Sequence, residues 1–121
     1  MNNITQPSNL TELLERFKEE AIPVLVQLSL SNREEGYLVT EVIRKTLDAC
    51  KGDVKFLKIV DPLASQLSNE LQIYRNPIYL IIYKGKLRAI HHGVVGSLRL
   101  ISSINRINNL ETKKAASNEA A

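Results

Sequence analysis

Cysteine is nearly absent from this chain of 121 residues, which contains a single one, Cys50. One thiol can form no disulfide within the chain, and it cannot make a zinc site without several other ligands. A low cysteine content without disulfides is typical of proteins from reducing compartments. A chain of this length buries about two thirds of its unfolded surface. We therefore expect a cytoplasmic protein that folds without a metal ion or a cofactor.

Aromatic residues and an excess of charge of one sign are also scarce. The chain has no tryptophan, 5% aromatic residues and a formal net charge of +3, from 16 basic and 13 acidic side chains. Nucleic-acid-binding domains usually show a concentrated basic patch or a platform of stacked aromatic residues. Neither pattern is visible in the sequence, so we do not expect nucleic acid as a partner.

Long hydrophobic runs are missing as well. The longest, Ile78–Tyr83, is far shorter than the ~20 residues that a transmembrane helix needs. The first nine residues are polar and lack a basic region followed by an apolar one, so we expect no signal peptide. A membrane is therefore not an expected partner.

The rest of the chain alternates between helical and strand patterns. Asn9 and Glu12 can form a capping box, and apolar residues at helical spacing follow them to about Glu20. Short β-branched runs predict strands, and glycines and prolines separate the elements. The predicted order is a helix (9–20), a strand (24–28), a helix capped by Ser31 or Asn32 and ended by Gly52, a strand (54–60), a helix that begins at Asp61-Pro62, two strands (78–83 and 86–91) joined by a turn at Lys84-Gly85, and a helix through Ile107.

This order predicts a single α/β domain. The strand–helix–strand crossover implies a parallel pair of strands, and the later hairpin adds antiparallel ones. We expect a central mixed sheet of four to five strands with helices on both faces. The domain is assigned to residues 9–108, after an N-terminal segment (1–8) and before a disordered tail (109–121), because the last residues are small, polar and aperiodic.

Four segments resemble the thioredoxin family in order and spacing. Residues 22–26 (IPVLV) are similar to its central strand, P-V-L-V-D-F, and residues 51–58 (KGDVKFLK) to its K-G-K-V-x-x-x-K segment. Residues 76–85 (NPIYLIIYKG) resemble I-P-T-L-L-L-F-K-N-G, and Gly93 matches the family's glycine after the hairpin. The resemblance extends from about Asn9 to Ile107 and implies a thioredoxin-like fold.

The active-site motif of that family, W-C-G-P-C, falls on residues 32–36. In this chain these are Asn32, Arg33, Glu34, Glu35 and Gly36, so that both cysteines are replaced. Dithiol exchange needs a nucleophilic thiolate and a resolving thiol. We therefore expect no dithiol oxidoreductase activity and no catalytic residue at this place.

The groups that support the family's chemistry are only partly present. Gln27 stands where the family has a buried acid, and Lys58 matches the lysine beside it. Pro77 resembles the family's cis-proline, which faces the active-site turn and whose preceding residue can pair with an extended peptide. Ile78 replaces the small threonine after that proline, which implies a narrower or more apolar groove.

The leading hypothesis is a redox-inactive thioredoxin-fold protein that acts as a protein-binding adaptor or a chaperone-like module. Thioredoxin-like proteins without cysteines resemble such adaptors. The predicted contact surface comprises Asn32, Arg33, Glu34, Glu35, Gly36, Asn76 and Pro77. A simpler interpretation is also open, in which the charged residues only begin a helix and Pro77 only shapes the start of a strand.

Other functions remain alternatives at this stage. Cys50 could act alone as a redox sensor or an enzymatic thiol if its pKa were low and its side chain exposed. An anion could bind where the second helix begins, although two glutamates there oppose it. Adjacent strand residues point to opposite faces, so His91 and His92 are not expected to share a metal ion. The tyrosines at positions 74, 79 and 83 are expected to pack within the fold.

Overall fold

The computed structural model describes the backbone of residues 7–30 and 37–120 and the side chains of residues 7–30 and 38–110. Its elements follow the order predicted from the sequence. They are α1 (Leu10–Arg16), β1 (Val24–Ser29), α2 (Tyr37–Cys50), β2 (Lys55–Val60), α3 (Leu63–Leu71), β3 (Ile78–Tyr83), β4 (Lys86–His92) and α4 (Ser97–Ala120).

The strands form a mixed sheet in the order β2-β1-β3-β4. β1 and β2 are parallel, with Val24 opposite Lys55. β1 pairs antiparallel with β3, and β3 pairs antiparallel with β4. The prediction of a central mixed sheet of four to five strands flanked by helices is thereby confirmed.

Each face of the sheet is covered by a pair of helices. β1 and β3 alternate their side chains between the two faces, and all twelve of their residues but Ser29 are buried. Burying one such aliphatic side chain contributes about 1.5–3 kcal/mol. The core beneath α1 and α3 contains Leu13, Val24, Val26, Leu28, Ile59, Ala64, Leu67, Ile78, Leu80 and Ile82. The core beneath α2 and α4 contains Leu25, Cys50, Val54, Tyr79, Ile81, Tyr83, Leu100, Ile104 and Ile107.

The β3–β4 hairpin turns at the two residues predicted for it. Lys84 and Gly85 both have positive φ, 51° and 77°, which matches the twist of a two-residue hairpin. The register shifts at Ile81 and Ile82, so β4 contains one extra residue. The turn packs against the end of α1 and the residues that follow it. A Cβ at Gly85 would lie 2.8 Å from Cβ of Lys18 and 3.2 Å from the carbonyl oxygen of Leu14.

Two helix starts differ in detail from the prediction. The Asn9 side chain accepts a hydrogen bond from the N–H of Glu12 at 2.9 Å, as a capping box requires. The Glu12 carboxylate, however, accepts hydrogen bonds from the N–H and the hydroxyl of Ser8 and not from the N–H of Asn9. At α3, Pro62 is the N-cap and has no capping side chain. The Asp61 carboxylate caps this helix by accepting from the N–H and hydroxyl of Ser65.

Two helix ends also differ from the prediction. α1 ends at Arg16 instead of about Glu20, because the following N–H groups of Phe17 and Lys18 bond three residues back, which closes a tighter turn. α4 extends past residue 108, so the predicted boundary between domain and tail falls inside this helix. The division of the chain at that residue stays a prediction.

Candidate functional site

Asn76 and Pro77, one of the two segments of the predicted contact surface, lie at one end of the sheet. Leu28, near the end of β1, lies opposite Ile78 at the start of β3, and Ile78 lies opposite His92 at the end of β4. Asn76 and Pro77 therefore enter the sheet at the edge where β1 and β4 leave it. Residues 32–36, which complete the predicted contact surface, lie outside the described residues.

Backbone hydrogen bonds join the segment before β3 to the segment after β4. The N–H of Gly93 donates to the carbonyl oxygen of Pro77 at 3.0 Å and to that of Arg75 at 3.2 Å. The Asn76–Pro77 peptide bond is cis. Gly93 has φ +81°, and a Cβ there would lie 2.9 Å from Cδ of Arg75. This junction requires glycine because a larger residue would be strained and would displace the arginine.

The side chain of Asn76 is unusual at this junction. Its Oδ1 and Nδ2 are both buried, and neither has a hydrogen-bond partner among the residues that the structure describes. A buried polar group without a partner costs about 1–3 kcal/mol. Such groups are rare in folded proteins, which singles out Asn76 within the predicted surface.

Exposed apolar side chains that the sequence pattern did not predict flank the junction. Tyr74 is 61% exposed and Val94 is 93% exposed. The prediction that all three tyrosines pack within the fold is confirmed for Tyr79 and Tyr83, which are buried, and is wrong for Tyr74. Hydrophobic periodicity could not distinguish Tyr74 from the two buried tyrosines, because Tyr74 belongs to the irregular segment between α3 and β3. We call Tyr74, Asn76, Pro77, Gly93 and Val94 together the Pro77 surface.

Gln27 and Lys58 lie side by side in the parallel register of β1 and β2. Gln27 is 2% exposed, whereas Lys58 is exposed. The amide of Gln27 neither gains nor loses a proton as an acid or a base near neutral pH. The structure thus places the two residues as the resemblance implied, and Gln27 cannot serve as a proton acceptor there.

The only thiol of the chain lies on another part of the domain. Cys50 is the last residue of α2 and is 4% exposed in the core beneath α2 and α4. Burial raises the pKa of the Cys50 thiol, and the nearby Asp53 carboxylate raises it further. Since the thiolate is the reactive form, this environment disfavours the alternative of a redox sensor that uses Cys50.

A hollow of about 830 Å³ lies between α1, β2 and α3, on the face of the sheet opposite to that of Cys50. Its wall is mostly apolar and includes Leu13, Phe17 and Ile59. Asp61 also lines it, but its carboxylate is engaged in capping α3.

The described part of the chain contains no group of three or more His, Cys, Asp or Glu residues placed to hold a metal ion. Within those same residues, no helix is both long and apolar enough to cross a membrane. The side chain of His91 reaches Ser103 of α4.

No protein-family model matches the sequence, and no curated protein matches it. Solved structures do. One of them belongs to a structural study of thiol resolution in yeast mitochondrial 1-Cys peroxiredoxin by the glutathione and thioredoxin systems. Its sequence is 19% identical to this chain and its fold matches with a TM-score of 0.64. The match covers 86% of this chain and 95% of that one. Chloroplastic thioredoxin z has 18% identity and a TM-score of 0.63 over 89% of this chain and 99% of its own. Mitochondrial thioredoxin 3 from Saccharomyces cerevisiae has 19% identity and a TM-score of 0.61 over 85% and 94% of the two chains.

Likeness at these identities establishes the fold and leaves the function open. The chain is similar to thioredoxins over most of its length, yet its one cysteine is a buried residue at the end of α2. The protein therefore has a thioredoxin-like fold without a Cys-x-x-Cys pair.

Proposed function

We propose that this protein is a non-catalytic thioredoxin-fold module that binds another protein, as an adaptor or a chaperone-like factor does. The proposed contact is the Pro77 surface, together with the predicted residues Asn32, Arg33, Glu34, Glu35 and Gly36. The observation that carries the proposal is the exposure of Tyr74 and Val94 beside the Pro77–Gly93 junction. Apolar side chains exposed around a backbone held by hydrogen bonds are suited to a protein partner.

The side chain of Asn76 supports an extended segment as the part of the partner that is bound. An extended peptide offers one carbonyl acceptor and one N–H donor at each residue. The Asn76 amide has one donor group and one acceptor, and both lack partners among the described residues. A change of rotamer on binding would satisfy these groups and return part of the free energy that their burial costs.

The chemistry of the chain supports binding without thiol exchange. A mixed disulfide with a partner needs an accessible thiolate, and Cys50 is buried with a raised pKa. The protein should therefore hold its partner by contacts that reductant does not break.

A non-reducing pull-down from host lysate tests the proposal. We expect wild type and Cys50→Ser to capture the same partner, with or without reductant. Glu35→Lys and Val94→Asp should each weaken the capture while the fold is retained. Leu110→Asp is the matched control, because Leu110 is also exposed, at 51%, but lies far along α4. Capture that disappears with Cys50→Ser or on adding reductant would refute the proposal.

A further inference from the structure

A second hollow lies between β4 and α4 and has a different chemical character from the Pro77 surface. Its volume is about 630 Å³, and its lining includes His91, Arg99, Ser102, Ser103 and Arg106. The described residues that line it include no carboxylate. The sequence of α4 from residue 97 to residue 110 also contains no Asp or Glu. The hollow is thus basic and rich in hydrogen-bond donors.

The spacing along α4 brings these donors to one side of the helix. Arg99, Ser102, Ser103 and Arg106 follow one another at i, i+3, i+4 and i+7, which places them on a single face. The two arginines are separated by about 10 Å of helix rise, and the serines lie between them. Both arginines are exposed, and neither forms an ion pair with any side chain that the structure describes.

His91 holds the central hydroxyl from the opposite wall. Its Nε2 and Oγ of Ser103 share a hydrogen bond of 2.7 Å. Burial lowers the pKa of His91, and the positive charges of Arg99 and His92 lower it further. Two guanidinium groups near an imidazole make the hollow electropositive, and no carboxylate among the described residues lines it or pairs with either arginine.

We propose that this hollow binds a phosphate-class oxyanion. Arg99 and Arg106 would supply charged N–H donors, and Ser103, positioned by His91, would supply a hydroxyl donor. Guanidinium groups match the geometry of phosphate oxygens and remain charged at every physiological pH. This site differs from the Pro77 surface in its residues, and the inference does not depend on the proposed function.

The hydrogen bond between His91 and Ser103 gives the site a pH dependence. When the imidazole is protonated, its Nε2–H donates to Ser103 Oγ, and the serine hydroxyl proton is then free to donate into the hollow. A bound anion favours the imidazolium, so binding should raise the pKa of His91 and should tighten as the pH falls. The other charged or titratable groups around His91 are His92 on its own strand, Tyr79 opposite it on β3, and the two arginines of α4.

Titration with inorganic phosphate and with O-phosphoserine, followed by the NMR signals of the arginine side chains and the His91 ring, tests the site. Arg99→Gln and Arg106→Gln should each weaken binding about tenfold, since each removes a charged hydrogen bond. Arg88→Gln is the matched control, because Arg88 is an exposed arginine that lies over the Tyr83 ring instead. Tighter binding of O-phosphoserine would identify a phosphorylated side chain as the ligand, and equal or weaker binding would identify a free anion.

Sulfate, whose charge is constant across this pH range, isolates the contribution of His91. Its affinity should rise as the pH falls through the pKa of His91, and His91→Gln should remove that rise. His92→Gln should keep it. The proposal is overturned if millimolar phosphate and O-phosphoserine perturb neither His91 nor the arginines, or if the arginine variants bind as wild type does.

Discussion

Two glycines with the same positive φ provide a sharp test of how the hairpin packs on α1. Gly52 and Gly85 both have φ +77°. A Cβ at Gly52 would meet no atom within 4 Å, whereas a Cβ at Gly85 would lie 2.8 Å from Cβ of Lys18 and 3.0 Å from its Cα. Alanine at either position is strained by the positive φ, but only at Gly85 does it also collide with Lys18, which follows α1, and approach the Leu14 carbonyl oxygen of that helix.

The magnitudes follow from these two contributions. A left-handed conformation costs an alanine about 1–2 kcal/mol, which is the whole loss expected for Gly52→Ala. Forcing a methyl group into packed space adds about 1–3 kcal/mol, so Gly85→Ala should lower the free energy of unfolding by about 2–5 kcal/mol. The Cα of Lys18 is a backbone atom and cannot rotate away as the end of a flexible side chain can, so the steric cost of the added methyl group is hard to avoid.

Urea unfolding of the wild type and the two variants measures the difference directly. Gly93→Ala extends the series, because its φ is +81° and its closest neighbour is the side-chain atom Cδ of Arg75 at 2.9 Å. It should lose more free energy of unfolding than Gly52→Ala and less than Gly85→Ala. Equal losses for Gly52→Ala and Gly85→Ala would refute the close packing of the hairpin turn on α1.

Two further predictions concern single side chains. Burial and the Asp53 carboxylate raise the pKa of Cys50. At neutral pH the thiol of the native protein should therefore be alkylated more slowly than the thiol of the denatured chain, and the alkylation rate should rise with pH. Equal alkylation rates in the native and denatured protein would contradict this account. Asn76→Ala removes two buried polar atoms that lack partners among the described residues, so its free energy of unfolding should be unchanged or higher. A loss of more than about 1 kcal/mol, typical of a broken hydrogen bond, would mean that the amide is satisfied after all.

The elements governed by local chemistry could be predicted from the sequence. The turn at Lys84-Gly85 could be predicted at the right place because Gly85 readily accepts the positive φ that a two-residue hairpin needs. The order of strands and helices followed from hydrophobic periodicity and from the crossover rule. The end of α1 was missed because it depends on how the chain closes the turn after Arg16.

The site could be predicted only where it resembles a known motif. Pro77 was identified by that resemblance, but the exposure of Tyr74 and Val94 depends on how two irregular segments meet across the sheet. The basic hollow was missed for a similar reason. Arg99 and Arg106 can be recognised in the sequence as one helix face, whereas the facing position of His91 follows only from the packing of β4 against α4.

The most direct test of the central claim is the affinity of a purified partner, once captured, for wild-type protein and three variants in the presence of reductant. Thiol-independent binding at the Pro77 surface predicts that Cys50→Ser and Leu110→Asp bind as wild type does, and that Val94→Asp binds about tenfold more weakly, as expected when an exposed contact residue becomes charged. Wild-type affinity in Val94→Asp, or loss of binding in Cys50→Ser, would contradict the claim.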